Sequence, residues 1–490
     1  MILSLLILIP LVGGVLAWIA ARWSALASRR IALGAAALNL GITIGMWLKF
    51  PGGLDPGDKM VEVNVPWVPG LGVNYHLALD GLNLLLVLLT TLLTVVAVAC
   101  SWREITERVG DFHLALMTLS AAVLGTFMAF DLLLFFFFWE AMLVPMYFLI
   151  AIWGHGNRRY AATKFFLFTF VGGLFVLLGV IGLYVVTGTF DYALLLHSTM
   201  PARAAMLTML ALLVGFAVKL PVVPFHTWLP DAHTDAPTAG SVILAGLLLK
   251  TGAYGMLRFA VPLFPAASAQ IAPVMMALGV VGILYGAALA YAQRDLKRMI
   301  AYTSISHMGF VLLGIYAGTP LALHGAVLGI ICHGLATGAL FVIAGMIQER
   351  TGTREFAKLG GLWTTTPKLG GFLTFFAIAS LGLPGLGNFA AEFLVLLGTF
   401  TVSPVLASIA ALGLIASVIY SLWMVQAAVL GPNENGWRLR DLSVREVAVL
   451  GVLAALLVWL GLHPQPVIDT ARAPLEAARQ VTPADMGDEE

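Results

Sequence analysis

Four ionisable side chains stand inside stretches of sequence that are otherwise apolar. Glu140 ends the run Phe135-Phe136-Phe137-Phe138-Trp139, Lys219 lies two residues before Pro221, Lys250 interrupts Leu247-Leu248-Leu249, and Glu392 follows Leu383-Pro384-Gly385-Leu386-Gly387-Asn388. A charge placed at bilayer depth costs at least about 2.5 to 3.5 kcal/mol, so such groups are functional candidates by default. Acids and amines in apolar surroundings change protonation state when a neighbouring charge approaches or withdraws. The chemistry they suggest is therefore cation transfer, with protons first.

Glu140 and Lys219 form a candidate pair in which movement of the carboxylate switches the lysine. Membrane potential supplies a matching scale, about 2.3 kcal/mol per unit charge per 100 mV. The bland alternatives are a protonated, hydrogen-bonded acid and a static ion pair. Lys250 is too far from either end of its apolar run to snorkel, which makes it a candidate relay base. Glu392 is a candidate terminal acid at a half-channel, or else a cap on the helix that carries it. His307 and His333 also fall in apolar runs, and imidazole can accept on one nitrogen and donate from the other, so both could join Lys250 to Glu392 through water. A lone core histidine is the competing reading for each, and His324 lies near a run's end.

Between the runs near 203–221 and 238–262, His226, Asp231, His233 and Asp235 resemble metal ligands at short spacing. Pro224, Pro230 and Pro237 make this a rigid turn whose polar groups can cap helix ends, so no metal is expected. The sequence has no Walker lysine loop and no Gly-x-Gly-x-x-Gly after a strand. Cys100 and Cys332 are too few and too far apart for an iron–sulfur site. Nucleotide hydrolysis and redox chemistry have no local home.

The elements that hold these groups follow from composition. Of 490 residues, 60% are hydrophobic and 10% charged, and mean hydropathy is +0.97, so lipid rather than water is the solvent. Apolar runs of roughly 18 to 25 residues suit helices crossing a core about 30 Å thick. The sequence predicts an all-α polytopic membrane protein with about fourteen spans in one domain over 1–490. Met1 to Ala21 reads as a retained first span rather than a secretion signal, because it lacks a basic start. The longest polar stretches are 51–76 and 463–490. Net charge is +1, which indicates no nucleic-acid partner.

Lys and Arg concentrate in alternate loops. With the N-terminus outside, the clusters around 22–30, 103–108, 158–164, 294–298, 350–368 and 438–445 fall on the cytoplasmic side, and the C-terminus returns outside. Lys49, Lys59, Arg203, Arg258, Arg472 and Arg479 are then placed outside. Span 7 (Val218-Lys219-Leu220-Pro221-Val222-Val223-Pro224) and span 12 (Leu381 to Asn388, before Glu392) each couple a helix breaker to an ionisable residue. Five spans separate them, so spans 4–8 (about 112–262) and 9–13 (about 270–430) are expected to form two inverted five-helix repeats.

Val218-Lys219-Leu220-Pro221, His226-Thr227-Trp228-Leu229-Pro230-Asp231-Ala232-His233 and Ala236-Pro237-Thr238-Ala239-Gly240-Ser241-Val242 resemble the antiporter-like membrane subunits of respiratory complex I, the proton-translocating NADH:quinone oxidoreductase. Leu249-Lys250-Thr251-Gly252-Ala253-Tyr254-Gly255 and the segment from Tyr302 through Ser304, Ser306, His307, Met308 and Gly309 resemble that family's later signatures. The likeness covers nearly the whole chain. It implies that Glu140 pairs with Lys219, that Lys250 is the central relay, and that Glu392 connects to the outer face. It further implies fourteen helices, sister antiporter-like subunits on both sides, and residence in a bacterial inner membrane. The driving energy would come from NADH oxidation in a separate arm, with FMN, iron–sulfur clusters and quinone held by other subunits and no cofactor here. Glu392, where sister subunits carry lysine, and the lack of a long lateral helix after span 14 narrow the choice within the family. A subunit of a multisubunit sodium/proton antiporter and one of a hydrogenase-linked membrane complex would use the same residues.

Overall fold

A computed structural model describes residues 1–50, 55 and 57–480. Among the described residues, thirteen helices are long and apolar enough to cross a membrane. They are Ile2–Ala20 (span 1), Ala25–Leu48 (2), Gly81–Glu104 (3), Val109–Met128 (4), Leu132–Trp153 (5), Arg158–Thr187 (6), Ala202–Lys219 (7), Thr238–Leu263 (8), Pro265–Tyr291 (9), Leu296–Ala317 (10), Pro320–Thr351 (11), Pro404–Ala428 (13) and Val444–Leu462 (14). Span 12 is built from two shorter helices, Pro367–Ser380 and Gly387–Phe400. The total is the fourteen crossings read from hydropathy. Span 2 begins at Ala25, six residues earlier than its apolar run, because Ser24 caps it through the Ala27 amide.

Both expected breaks are present, and each has a local cause. Pro221 has no N–H to bond the Ala217 carbonyl, so Val222 N turns to that oxygen instead at 2.9 Å. The Val218 carbonyl left over accepts from the Trp228 indole at 2.9 Å. The chain then resumes as the short helix Trp228–Asp235. In span 12, Gly382 (φ +82°) and Gly385 (φ +92°) flank Pro384, a backbone that side chains with a Cβ rarely adopt. Ser417 Oγ donates to the Leu381 carbonyl at 3.0 Å and satisfies the broken end.

Burial is unequal. The most apolar window of span 8 is 100% buried within the chain and those of spans 10 and 11 are 94% buried, whereas spans 2 and 14 are 28% buried. Spans 8, 10 and 11 are thus a protein-lined centre, and the outer spans present Leu, Val and Phe outward, as lipid requires.

The polar stretch around 51–76 holds structure that the span count missed. Val61–Val68 (β1) and Val73–Leu79 (β2) form an antiparallel hairpin. The alternation Val61-Glu62-Val63-Asn64-Val65 was its available signal. Its face also holds the start of span 3 and the loops around Asp131 and Asp191. His76 is 1% exposed and bridges two carboxylates, Nδ1 to Asp191 Oδ2 and Nε2 to Glu62 Oε1, both at 2.6 Å. Burial acts to raise both acids, but the hydrogen bonds and charges of His76, and of Lys59 beside Glu62, hold both below the usual carboxylate range. A second addition is the helix Gln465–Gln480, which packs on spans 3 and 11 and buries Val467, Ala471 and Leu475. The side chain of Arg479 and residues 481–490 lie outside the described residues.

Removing one charge-assisted hydrogen bond costs about 1.5 to 3 kcal/mol. In His76→Leu, amide exchange across 61–79 is expected to quicken by roughly ten- to a hundredfold, while exchange in spans 8, 10 and 11 stays slow. Hydrogen-exchange mass spectrometry of the assembled protein in detergent reads both.

Candidate proton-transfer site

Lys250 is 0% exposed. A π-helical segment, Leu244–Leu248, immediately precedes it, and its Nζ folds back to lie 2.6 Å from the Ala245 carbonyl and 2.5 Å from His333 Nδ1 on span 11. Close approach of spans 8 and 11 is possible because Gly334 faces the Gly246 carbonyl, where a Cβ would stand at 3.2 Å. With Lys250 protonated, the ammonium donates to Nδ1 and the imidazole proton sits on Nε2.

The His333 ring lies 5.7 Å from that of His307 on span 10. His307 Nδ1 is 2.8 Å from Glu392 Oε1, and its Nε2 is 3.0 Å from Ser380 Oγ and 3.2 Å from Tyr420 Oη. His333 Nε2, Asn388 Oδ1 and Glu392 Oε2 have no hydrogen-bond partner among the described residues. All three residues, with His307, line one cavity, whose room is on the order of a single water. Lys250, His333, His307 and Glu392 thus form a line interrupted only by that cavity. Gly382, at the span 12 break, borders Glu392, since a Cβ there would lie 3.2 Å from Oε2.

Glu140 and Lys219 occupy the other half. Lys219 is 1% exposed, its Nζ has no hydrogen-bond partner, and it lies 5.0 Å from the centroid of the Trp139 ring. Glu140 Oε1 is likewise unpartnered. The two are neighbours without direct hydrogen bonding, an open arrangement rather than a closed ion pair. Glu140 is only half-buried and sits at the rim of an exposed face formed by Phe137, Ala141, Val144 and Phe148. On its inner side it abuts Gly173 of span 6, where any Cβ would collide with the carboxylate. Gly252, two residues after Lys250, lets span 8 lie against the span 7 break, since a Cβ would stand 2.7 Å from Leu220 N and Phe216 O.

His226, Asp231, His233 and Asp235 diverge. Asp231 pairs with Lys164 at 2.6 Å and Arg298 at 2.8 Å, and the Asp235 carbonyl accepts from His155 N. His233 is 0% exposed, lies flat on Phe341 at 4.5 Å, and has neither ring nitrogen partnered. Nearby Lys297, placed in a loop by sequence, is fully buried with Nζ 2.5 Å from the Ala236 carbonyl. Arg258 was likewise counted with outer loops and is 6% exposed inside span 8. Sequence reasoning also missed Ser380, Tyr420 and Asn388, uncharged residues that only helix phase relative to His307 and Glu392 could have singled out. His324, half-buried near the start of span 11, stands outside the line.

Residues 129–420, which contain all of this machinery, match the family model described as NADH:quinone oxidoreductase/Mrp antiporter, transmembrane. A Pseudomonas aeruginosa protein named NADH-quinone oxidoreductase subunit M is 51% identical over 98% of both chains. The chain belongs to this family. A chain of respiratory complex I from Thermus thermophilus superposes with a TM-score of 0.89 at 33% identity, covering 98% of this chain and 99% of that one. A chain of the Mrp complex from Dietzia reaches 0.86 at 22% identity over 98% and 97%, a likeness of fold.

Gly173→Ala should displace the Glu140 carboxylate without removing it. Cation pumping by the assembled complex in proteoliposomes is expected to fall as far as in Glu140→Gln, whereas full pumping would show that the carboxylate's position is immaterial.

Proposed function

We propose that this chain is a proton-translocating membrane-arm subunit of an NADH:quinone oxidoreductase, acting within a translocase whose redox steps occur in other subunits. The observation that carries the reading is the enclosed line Lys250–His333–His307–Glu392, in a chain that matches a subunit M relative from end to end. The basic face is the cytoplasmic side and the hairpin face the periplasmic side of a bacterial inner membrane, following the Lys and Arg distribution.

A proton enters from the cytoplasm near the span 7 break and charges Lys219 or Lys250. It passes by way of His333 and His307 and leaves through Glu392 when the Glu140–Lys219 arrangement changes. Transfer through an imidazole needs one nitrogen to accept while the other donates, and the cavity lined by both rings has room for a bridging water. Spans 4–8 (112–262) and 9–13 (270–430) act as inverted repeats whose breaks meet at the centre. NADH, FMN, iron–sulfur clusters and quinone belong to other subunits. Sister antiporter-like subunits flank this one, a reading supported by Glu140, whose half-buried carboxylate at mid-span is costly to leave against lipid.

Lys219→Ala is expected to abolish this subunit's share of NADH-driven pumping in a complex that still assembles, and wild-type proton-to-electron stoichiometry in it would sink the relay. Pumping by the unaltered complex should be equal with and without sodium in the buffer. A requirement for sodium would favour a sodium/proton antiporter.

A further inference from the structure

Span 8 carries a second buried cation that the proton line does not use. Lys250, Tyr254 and Arg258 recur every fourth residue, so they follow one another toward the hairpin face along one side of the helix. Eight residues at about 1.5 Å per residue put the two cations roughly 12 Å apart along the axis. Arg258 lies in a second π-helical segment, Met256–Ala260, where Pro262 lacks the N–H that would bond its carbonyl.

One acid and three aromatic rings surround the Arg258 guanidinium. Its Nη2 lies 2.5 Å from Asp80 Oδ2, and both side chains are 6% exposed. Its guanidinium carbon stands over Phe130 at 5.1 Å, Tyr254 at 5.6 Å and Tyr192 at 5.7 Å. Tyr254 Oη donates to the Phe127 carbonyl at 2.9 Å, which fixes its ring between Lys250 and Arg258. Asp80 does not cancel the cation outright. Its Oδ1 accepts from the amides of Leu82 and Asn83 at 3.0 and 3.1 Å, so its charge is shared with the positive N-terminus of span 3. An arginine keeps its proton throughout the accessible pH range, and a fixed cation in a narrow passage excludes other cations and protons.

We propose that Arg258 is an electrostatic barrier that closes the direct route from Lys250 to the hairpin face, so that a proton on Lys250 leaves only sideways through His333. Arg258 is here a positioning residue, and the inference rests on the reading of Lys250 as a proton carrier and of the hairpin face as the outer one. Without a barrier, a carrier only thirteen residues, roughly 20 Å at about 1.5 Å per residue, from the outer end of its own helix would discharge there, and Glu392 would be bypassed. The aromatic cage and Asp80 hold the guanidinium in place on this side of span 8 and keep water from surrounding it.

The test uses the assembled complex in proteoliposomes, with passive proton conductance read by an internal pH dye after an imposed potassium–valinomycin potential, and NADH-driven pumping and NADH oxidation read in parallel. Arg258→Gln should raise passive conductance several-fold and collapse the steady gradient while NADH oxidation continues. Arg258→Lys keeps the cation and should remain tight. Asp80→Asn breaks the same ion pair but leaves the cation, and should also remain tight. Should Arg258→Gln fail to assemble, the Asp80→Asn/Arg258→Gln double variant, which replaces the pair by two neutral hydrogen-bonding groups, carries the same expected leak.

Equal leaks in Asp80→Asn and Arg258→Gln would make the pair structural and overturn the barrier, as would an Arg258→Gln complex as tight as wild type. Adding Lys250→Met to Arg258→Gln should seal the leak, and a leak that persists overturns the route. Lys250→Met alone separates the two levels of the account. If it pumps normally, the proton-carrier reading falls with the inference, whereas if it stops pumping while Arg258→Gln stays tight, only the inference falls.

Discussion

The free-energy cost of placing charge in hydrocarbon shapes most of this molecule. Lys250, His307 and His333 lie on spans 8, 10 and 11, the spans most completely enclosed by the chain itself. Eleven other crossings shield them from lipid or complete their hydrogen bonding, and only Glu140 is left partly uncovered. Even there the exposure has direction, since the carboxylate rests against Gly173 on its inner side and opens only at the rim of one apolar face. The same cost explains why the buried groups form a line. A single buried charge is expensive wherever it sits, and under the proposed relay a series of groups sharing one proton would keep the number of charges in the interior low.

Irregular backbone is concentrated where that line must bend. Span 7 breaks beside Lys219, span 12 breaks before Glu392, and π-helical segments occur on both sides of Lys250. Each departure from α-helix frees carbonyls at depth, and three of them are reused: Trp228 takes the Val218 carbonyl, Ser417 takes that of Leu381, and Lys250 folds back on Ala245. Glycines supply the complementary half of the design. Gly252 admits span 8 to the span 7 break, and a side chain at Gly387 would run into Cys332, beside His333. That contact gives Cys332 a packing role.

The sequence made the number of crossings and both helix breaks legible because hydropathy and proline or glycine placement are local signals. Glu140, Lys219, Lys250, His307, His333 and Glu392 were visible for the same reason, as polar exceptions within apolar runs. Their joining into one line was not visible, since it depends on which faces of spans 8, 10, 11 and 12 meet. Lys297 and Arg258 were misplaced in loops because they lie near the ends of their helices, where charge counting cannot tell a solvated side chain from one folded inward. The β-hairpin lies in a stretch whose overall polarity masks the period-two alternation from Val61 to Val65. Ser380 and Tyr420 gain their importance wholly from tertiary contact with His307.

The central claim is that His333 links Lys250 to the His307–Glu392 pair, and His333→Leu tests it most directly. That change removes both ring nitrogens while retaining an apolar side chain of similar bulk between Lys250 and the cavity. The measurement is the proton-to-electron stoichiometry of the assembled complex in proteoliposomes during NADH oxidation. The account predicts a reduced stoichiometry with assembly and membrane tightness preserved, and an unchanged stoichiometry would contradict the line on which the function is built.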